Sequence, residues 1–135
     1  MVDPAESEIL PCEEILFRAA LNKRYLEGGK PTADLFILRE QDGGKLSTRR
    51  RKLVSLEEFK ASFKLCFGVV TLHVGHVRSA GLDKALALEV IADQSFDDPL
   101  PGHASILNIP RRTADPFLAE WIASKLRDQS RLAVD

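Results

Sequence analysis

Apolar and polar residues alternate most regularly along residues 69–77. A period of two sends successive side chains to opposite faces, so this stretch predicts a half-buried β-strand. Shorter segments with strand character lie at residues 35–40, 45–53, 86–92 and 104–109. Asp42-Gly43 separates the first two of these, and such a dipeptide between apolar runs predicts a hairpin.

Residues 12–27 have the pattern of a helix. Pro11 suits the first turn, and Gly28 is a typical stop signal. The short apolar run that starts at Ile15 is also compatible with a buried strand, because periodicity alone does not separate the two. We predict a helix here and keep the strand as the alternative.

Two further helices have clear start signals. Ser55 followed by Glu58 is a capping-box pattern, and it predicts a helix from there to about Cys66. Asp115-Pro116 predicts the start of the last helix. Together the elements predict an α+β fold, a small and mostly antiparallel sheet of four or five strands with about three helices on one side. We expect residues 1–8 to be a flexible lead-in and residues 9–135 to form a single domain.

Composition narrows the classes of protein. The chain has 135 residues, is 44% hydrophobic and carries a net charge of -1. The length and the apolar content are ordinary for one globular domain, and the small net charge provides no general positive field that would attract nucleic acid. No apolar run approaches the roughly 20 residues of a membrane helix, and the acidic start of the chain is unlike a secretory signal. We therefore expect a cytoplasmic protein without a membrane partner, in which Cys12 and Cys66 are free thiols.

The histidines are the first candidates for chemistry. His73 and His76 stand three apart in the predicted strand, which should send them to opposite faces unless a bulge at Gly75 brings them together, so no metal site is predicted. No cofactor is predicted except under the enzyme alternative given below. His103 begins the strand at 104–109 and follows a loop that contains Asp98. We predict His73 and His103 as acid–base groups, with Asp98 orienting them.

A run of four cations forms the second candidate: Arg49, Arg50, Arg51 and Lys52. On a strand the run can be a solvated edge, because charge discourages edge pairing. It can instead bind phosphate or nucleic acid, although the aromatic residues of a base-stacking surface are missing. A nucleic-acid binder of this kind should bind with a steep salt dependence.

Two resemblances accompany these motifs. Residues 67–78, followed by Asp-Pro-Leu-Pro-Gly-His-Ala at residues 98–104, resemble small uncharacterised bacterial proteins that have such a loop before a strand, which implies no activity. Leu-Phe-Arg, ending at Arg18, and Leu-Ser-Thr, containing Ser47, are similar to the arginine and serine–threonine positions of ADP-ribosyltransferases. That resemblance implies NAD as the ligand, an arginine on its phosphates, a nicotinamide pocket at the serine–threonine strand and a later glutamate on the ribose. Glu89 would be that glutamate, although Ala87 stands where the family has glutamate or glutamine.

Two functional hypotheses follow. The first is a bacterial cytosolic binding or interaction module with a protein partner, because no strong catalytic signature is present. The alternative is a small enzyme acting on a nucleotide or nucleic acid, with Arg18 or Arg78 on phosphate. The enzyme hypothesis requires its histidines, carboxylate and arginine to converge in one pocket.

Overall fold

The structure, a computed structural model, describes residues 8–133, and these residues form short strands around a central sheet. The strands are β1 (Glu8–Ile9), β2 (Ile15–Ala20), β3 (Leu26–Glu27), β4 (Lys30–Pro31), β5 (Leu46–Arg50), β6 (Gly68–His73), β7 (Glu89–Ala92), β8 (His103–Leu107) and β9 (Arg131–Leu132). The α-helices are α1 (Leu56–Ala61), α2 (Val74–Ser79) and α3 (Pro116–Gln129). Single 3₁₀ turns occupy Lys23–Tyr25, Ala33–Phe36, Glu40–Asp42, Arg51–Leu53 and Leu82–Lys84.

Seven of the strands make one antiparallel sheet in the order β1-β7-β8-β5-β2-β6-β9, while β3 and β4 form a separate ribbon. The predicted α+β class is confirmed, and the sheet is larger than the four or five strands expected. Three of its strands were not predicted: β2, which the pattern favoured as a helix, and the edge strands β1 and β9, which have only two residues each. The predicted lead-in lies outside the described residues up to residue 7, and Glu8 already belongs to β1.

The sheet is packed on both faces. Leu16 on β2 points into the main core, where α2 and α3 contribute Val77 and Ile122. The next residue, Phe17, points the other way and stacks on Phe59 of α1 with ring centroids 5.6 Å apart. The expectation of helices on one side therefore holds for α2 and α3, while α1 covers part of the opposite face.

Residues 12–27 are not the predicted helix. Ile15–Ala20 is a central strand, followed by a 3₁₀ turn at Lys23–Tyr25 and by β3. Strand β2 pairs with β6 along its whole length and with β5 at Leu16 and Phe17, so tertiary pairing overrides the helical spacing. The strand alternative was the right one, and it places Arg18 inside the sheet.

Residues 69–77 form a strand only as far as His73, and α2 begins at Val74. The amides of Val74 and Gly75 donate to the carbonyls of Glu14 and Cys12, which turns the chain away from the sheet. A Cβ on Gly75 would lie 3.2 Å from the Cys12 carbonyl oxygen, so this close approach favours glycine. The rings of His73 and His76 lie together, with centroids 4.9 Å apart, instead of on opposite faces.

The remaining local predictions were partly confirmed and partly wrong. The Ser55–Glu58 capping box is present, but α1 ends at Ala61 instead of near Cys66. Residues 35–40 are not a strand, because Ala33–Phe36 is a 3₁₀ turn whose Leu35 and Phe36 are buried in the core. The last helix begins at Asp115-Pro116 as predicted. Within residues 8–133 no helix has both the length and the apolar character to cross a bilayer.

Candidate functional site

The pairing of β2 with β5 stops after Phe17 and Arg49, although both strands continue. The Arg18 guanidinium occupies this break. Its Nη1 donates to the Ser47 carbonyl oxygen at 2.7 Å, and its Nε donates to the Leu35 carbonyl oxygen at 2.8 Å. The Arg18 side chain thus supplies hydrogen-bond donors to backbone carbonyls where β2 and β5 no longer pair with each other.

Next to this break lies a cleft of about 350 Å³. Its polar wall consists of Arg18, Ser47, Arg49, Asp98 and His103, and its apolar wall includes Leu21, Phe59 and Phe63. The rings of Phe59 and Phe63 meet edge to face with centroids 5.2 Å apart. Charged groups beside a rigid aromatic surface are typical of a site for a polar molecule with a planar ring.

His103 is held by a carboxylate. Its Nδ1 lies 2.7 Å from Oδ1 of Asp93, and Ser105 Oγ donates to the other oxygen at 2.6 Å. A carboxylate partner favours the proton on Nδ1, which leaves Nε2 of the neutral ring as an acceptor. Because His103 also lines the cleft, this is the arrangement of an oriented general base.

The environment keeps Asp93 ionised. Burial alone would raise the pKa of this carboxyl, but the hydrogen bonds from His103 and Ser105, the charge of Lys45 and that of His103 when its ring is protonated lower it overall. The Lys45 ammonium lies 3.9 Å from the carboxylate. An ionised Asp93 can hold the His103 ring in one orientation and stabilise it when it takes up a proton.

Arg18 carries a charge that has no matching carboxylate. Burial lowers the pKa of its guanidinium to about 10; the charge of Asp42 acts against this shift and that of Arg39 adds to it. Among residues 8–133, Arg18 takes part in no ion pair. A partly buried cation without a carboxylate partner carries a desolvation cost, and an anion bound in the cleft would offset it.

Asp98 reaches the cleft through a different contact from the one predicted. Its Oδ2 accepts from Arg49 Nη1 at 3.0 Å, and its Oδ1 accepts from the amide of Leu100 at 3.0 Å. Burial raises the pKa of Asp98, but the Leu100 amide, Arg49 and the charge of His103 together lower it. Asp98 therefore shares the cleft with His103, whereas the carboxylate that orients this histidine is Asp93.

Two predicted site residues lie away from the cleft. His73 pairs with Ile15, at the opposite end of β2 from the cleft residue Ala19, so the expected convergence of His73 with His103 is not found. Arg78 donates to Glu89 at 2.6 Å and also to the Leu10 carbonyl. These contacts tie α2 to the β1–β7 edge, and they place Glu89, the proposed late glutamate, outside the cleft.

The basic run is largely neutralised inside the fold. Arg50 makes two hydrogen bonds to Glu14, at 2.5 and 3.0 Å, and the Lys52 ammonium lies 3.4 Å from the same carboxylate. Arg49 pairs with Asp98. Only Arg51 forms no ion pair with the part of the chain that is described. Arg49 and Arg50 lie on β5, an inner strand, and so they do not form the solvated edge that the sequence suggested. Arg51 and Lys52 follow in the 3₁₀ turn and are exposed.

No group of three histidine, cysteine or acidic side chains able to hold a metal ion occurs between residues 8 and 133. In the same part of the chain, Cys12 and Cys66 are free thiols.

The sequence did not mark Asp93 as a site residue. Strands β7 and β8 pair with Ala92 opposite Ala104, so the next position along the hairpin places Asp93 opposite His103. Extending the β7–β8 register by one position beyond Ala92 and Ala104 would have predicted this pair.

Comparison with known proteins gives no relative. The chain matches no protein-family model, no curated protein and no solved structure.

Proposed function

We propose that the cleft binds a nucleotide and that His103 is its acid–base group, which makes this chain a small enzyme. The contact of His103 Nδ1 with Asp93 at 2.7 Å carries the proposal. It orients an imidazole at the wall of a cleft that also contains Arg18. A histidine with a carboxylate behind it is a recurrent arrangement for taking a proton from an attacking hydroxyl or water.

Arg18 supports a phosphate-bearing ligand. Two of its donor positions are used by the carbonyls of Leu35 and Ser47, which fixes the guanidinium plane. A guanidinium has five N–H donors, so others remain for a ligand anion. The fixed position lowers the entropic cost of binding.

The apolar wall supports a ligand with a planar ring. Phe59 and Phe63 are fixed against each other, and Phe17 stacks behind the first of them. A base or a nicotinamide ring can pack against such a surface, while its phosphates meet Arg18. A nucleotide combines the two chemistries that the cleft offers.

NAD is the first nucleotide to test. The resemblance to ADP-ribosyltransferases requires its arginine on a strand beside the serine–threonine strand, and Arg18 on β2 contacts Ser47 on β5. The position of Glu89 does not support the resemblance. In this chain the acid–base role would fall to His103, with Asp98 as a second carboxylate in the cleft.

A thermal-shift and turnover assay tests the proposal. Wild type is mixed with NAD, AMP or ADP. A ligand at a concentration of 100 times its Kd should raise the free energy of unfolding by about 2.7 kcal/mol. Arg18→Gln should abolish the shift. His103→Gln should keep the shift and lower the rate of nicotinamide release about 100-fold or more, whereas His76→Gln, outside the cleft, should behave as wild type. The proposal is wrong if no nucleotide shifts the melting temperature, or if Arg18→Gln shifts like wild type.

The second candidate is a cytosolic interaction module without catalysis. Phe96 supports it, because this side chain is 99% exposed at the tip of the loop that also carries Asp98. In the same assay, nucleotide binding without any turnover would favour this candidate. Replacing Phe96 with serine should then weaken binding of a protein partner and leave nucleotide affinity unchanged.

A further inference from the structure

A second cavity, of about 520 Å³, is lined by the segment that follows Leu35. Arg18 donates to the carbonyl of Leu35, and the residues that follow, from Ile37 to Glu40, line this cavity. Its other walls come from Arg24 and from Arg112 and Thr113 after β8.

Three arginines line the cavity, and two of them have no acidic partner. The guanidinium carbons of Arg24 and Arg39 lie 5.4 and 4.8 Å from the centroid of the same buried Tyr25 ring. Neither forms an ion pair with any carboxylate of the described chain. Contact with this ring positions both guanidinium groups, and neither has a carboxylate that would compete with a bound anion.

The acidic groups around the cavity only partly balance these charges. Asp34 lies 3.5 Å from Arg112, which is also 3.8 Å from Glu120. Glu40 lines the cavity but makes no ion pair within residues 8–133. Two carboxylates thus lie beside Arg112, whereas Arg24 and Arg39, on the Tyr25 side, have none within ion-pair distance among the described residues.

We propose that this cavity is a second anion site, in which Arg24 and Arg39, held by Tyr25, bind a phosphate group. Guanidinium groups suit phosphate because their planar forks make paired, charge-assisted hydrogen bonds. Stacking on an aromatic ring leaves the in-plane N–H groups available for such bonds. This site does not depend on the cleft binding a nucleotide, since none of its arginines lines the cleft.

Inorganic pyrophosphate is the probe, and amide chemical shifts in a two-dimensional NMR spectrum locate its binding. At low salt, pyrophosphate should move the amides of Arg24, Arg39 and Thr113. Arg39→Gln should weaken the fitted affinity about 10-fold, the size expected for a charge-assisted contact. Arg127→Gln removes one charge at the far end of α3 and should leave the affinity unchanged. The spectrum itself shows whether each variant is folded.

A second titration, with a short single-stranded oligonucleotide, identifies the source of the phosphate. If the oligonucleotide shifts the same amide signals in wild type but not in Arg39→Gln, the cavity binds a nucleic-acid phosphate. If only pyrophosphate shifts them, the ligand is a small phosphorylated molecule. Cleft residues such as Ser47 report separately, so failure of the nucleotide proposal is distinguishable. The second site is ruled out if cavity amides stay fixed at 10 mM of either probe, or if Arg39→Gln binds like wild type.

Discussion

Replacing Glu14 tests whether Arg50 and Lys52, two cations of the basic run, stabilise the fold. Its side chain is only 3% exposed and accepts two hydrogen bonds from Arg50, which is 13% exposed, while Lys52 lies 3.4 Å away. Burial would raise the pKa of Glu14, but the hydrogen bond and charge of Arg50, with those of Lys52, lower it overall. The perturbation is Glu14→Gln, which keeps the shape and removes the charge.

The expected loss of stability comes from the charge left behind. Removing one partner of a buried ion pair costs about 3–5 kcal/mol, because the other charge stays desolvated. Glutamine retains one acceptor oxygen for Arg50, and the exposed Lys52 contributes less than about 1 kcal/mol. We therefore expect the low end of the range, about 3 kcal/mol.

Urea unfolding followed by the fluorescence of Trp121, the only tryptophan, measures this loss. Glu13→Gln is the matched control, because the neighbouring glutamate is exposed and its replacement should change stability by less than about 0.5 kcal/mol. Since folding lowers the pKa of Glu14 below its usual 4.5, its contribution is complete above that pH and disappears as the pH falls through the lowered pKa. Equal stability of the two variants at pH 7 would refute the view that Arg50 and Lys52 are structural cations.

Three further predictions concern local features. Ser55→Ala removes the cap of α1 and should cost about 1 kcal/mol in the same urea assay. Gly102→Ala should cost at least about 1 kcal/mol and shift the NMR signals of His103, because Gly102 has a φ of 88° and its added Cβ would lie 3.2 Å from Leu53. The lowered pKa values of Asp93 and Asp98 mean that stability should fall as the pH drops below about 3.8, and an Asp93→Asn variant should show a weaker dependence there.

Elements with local start signals were predictable from the sequence. The cap of α1 depends on Ser55 and Glu58, and the start of α3 depends on Asp115 and Pro116, all of which act within one turn. Their hydrogen bonds need no distant partner. The α+β class follows from the same local patterns.

Elements set by long-range pairing were not predictable. The run from Ile15 to Ala20 has no decisive period and becomes a strand because β5 and β6 pair with it. The turn at His73 depends on the carbonyls of Cys12 and Glu14, some sixty residues away in sequence. The candidate site combines the two cases. His103 was selected from the sequence, whereas the position of Arg18 could not be predicted without assigning residues 15–20 to strand β2.

The ring of His103 offers the most direct test of the account. Long-range ¹H–¹⁵N NMR spectra distinguish which imidazole nitrogen carries the proton, and they can be recorded with and without NAD. We predict the tautomer with the proton on Nδ1, toward Asp93, and a shift of the Nε2 signal when NAD is added. A proton on Nε2, or an Nε2 signal that NAD leaves unchanged, would contradict the proposal that His103 acts on a nucleotide in this cleft.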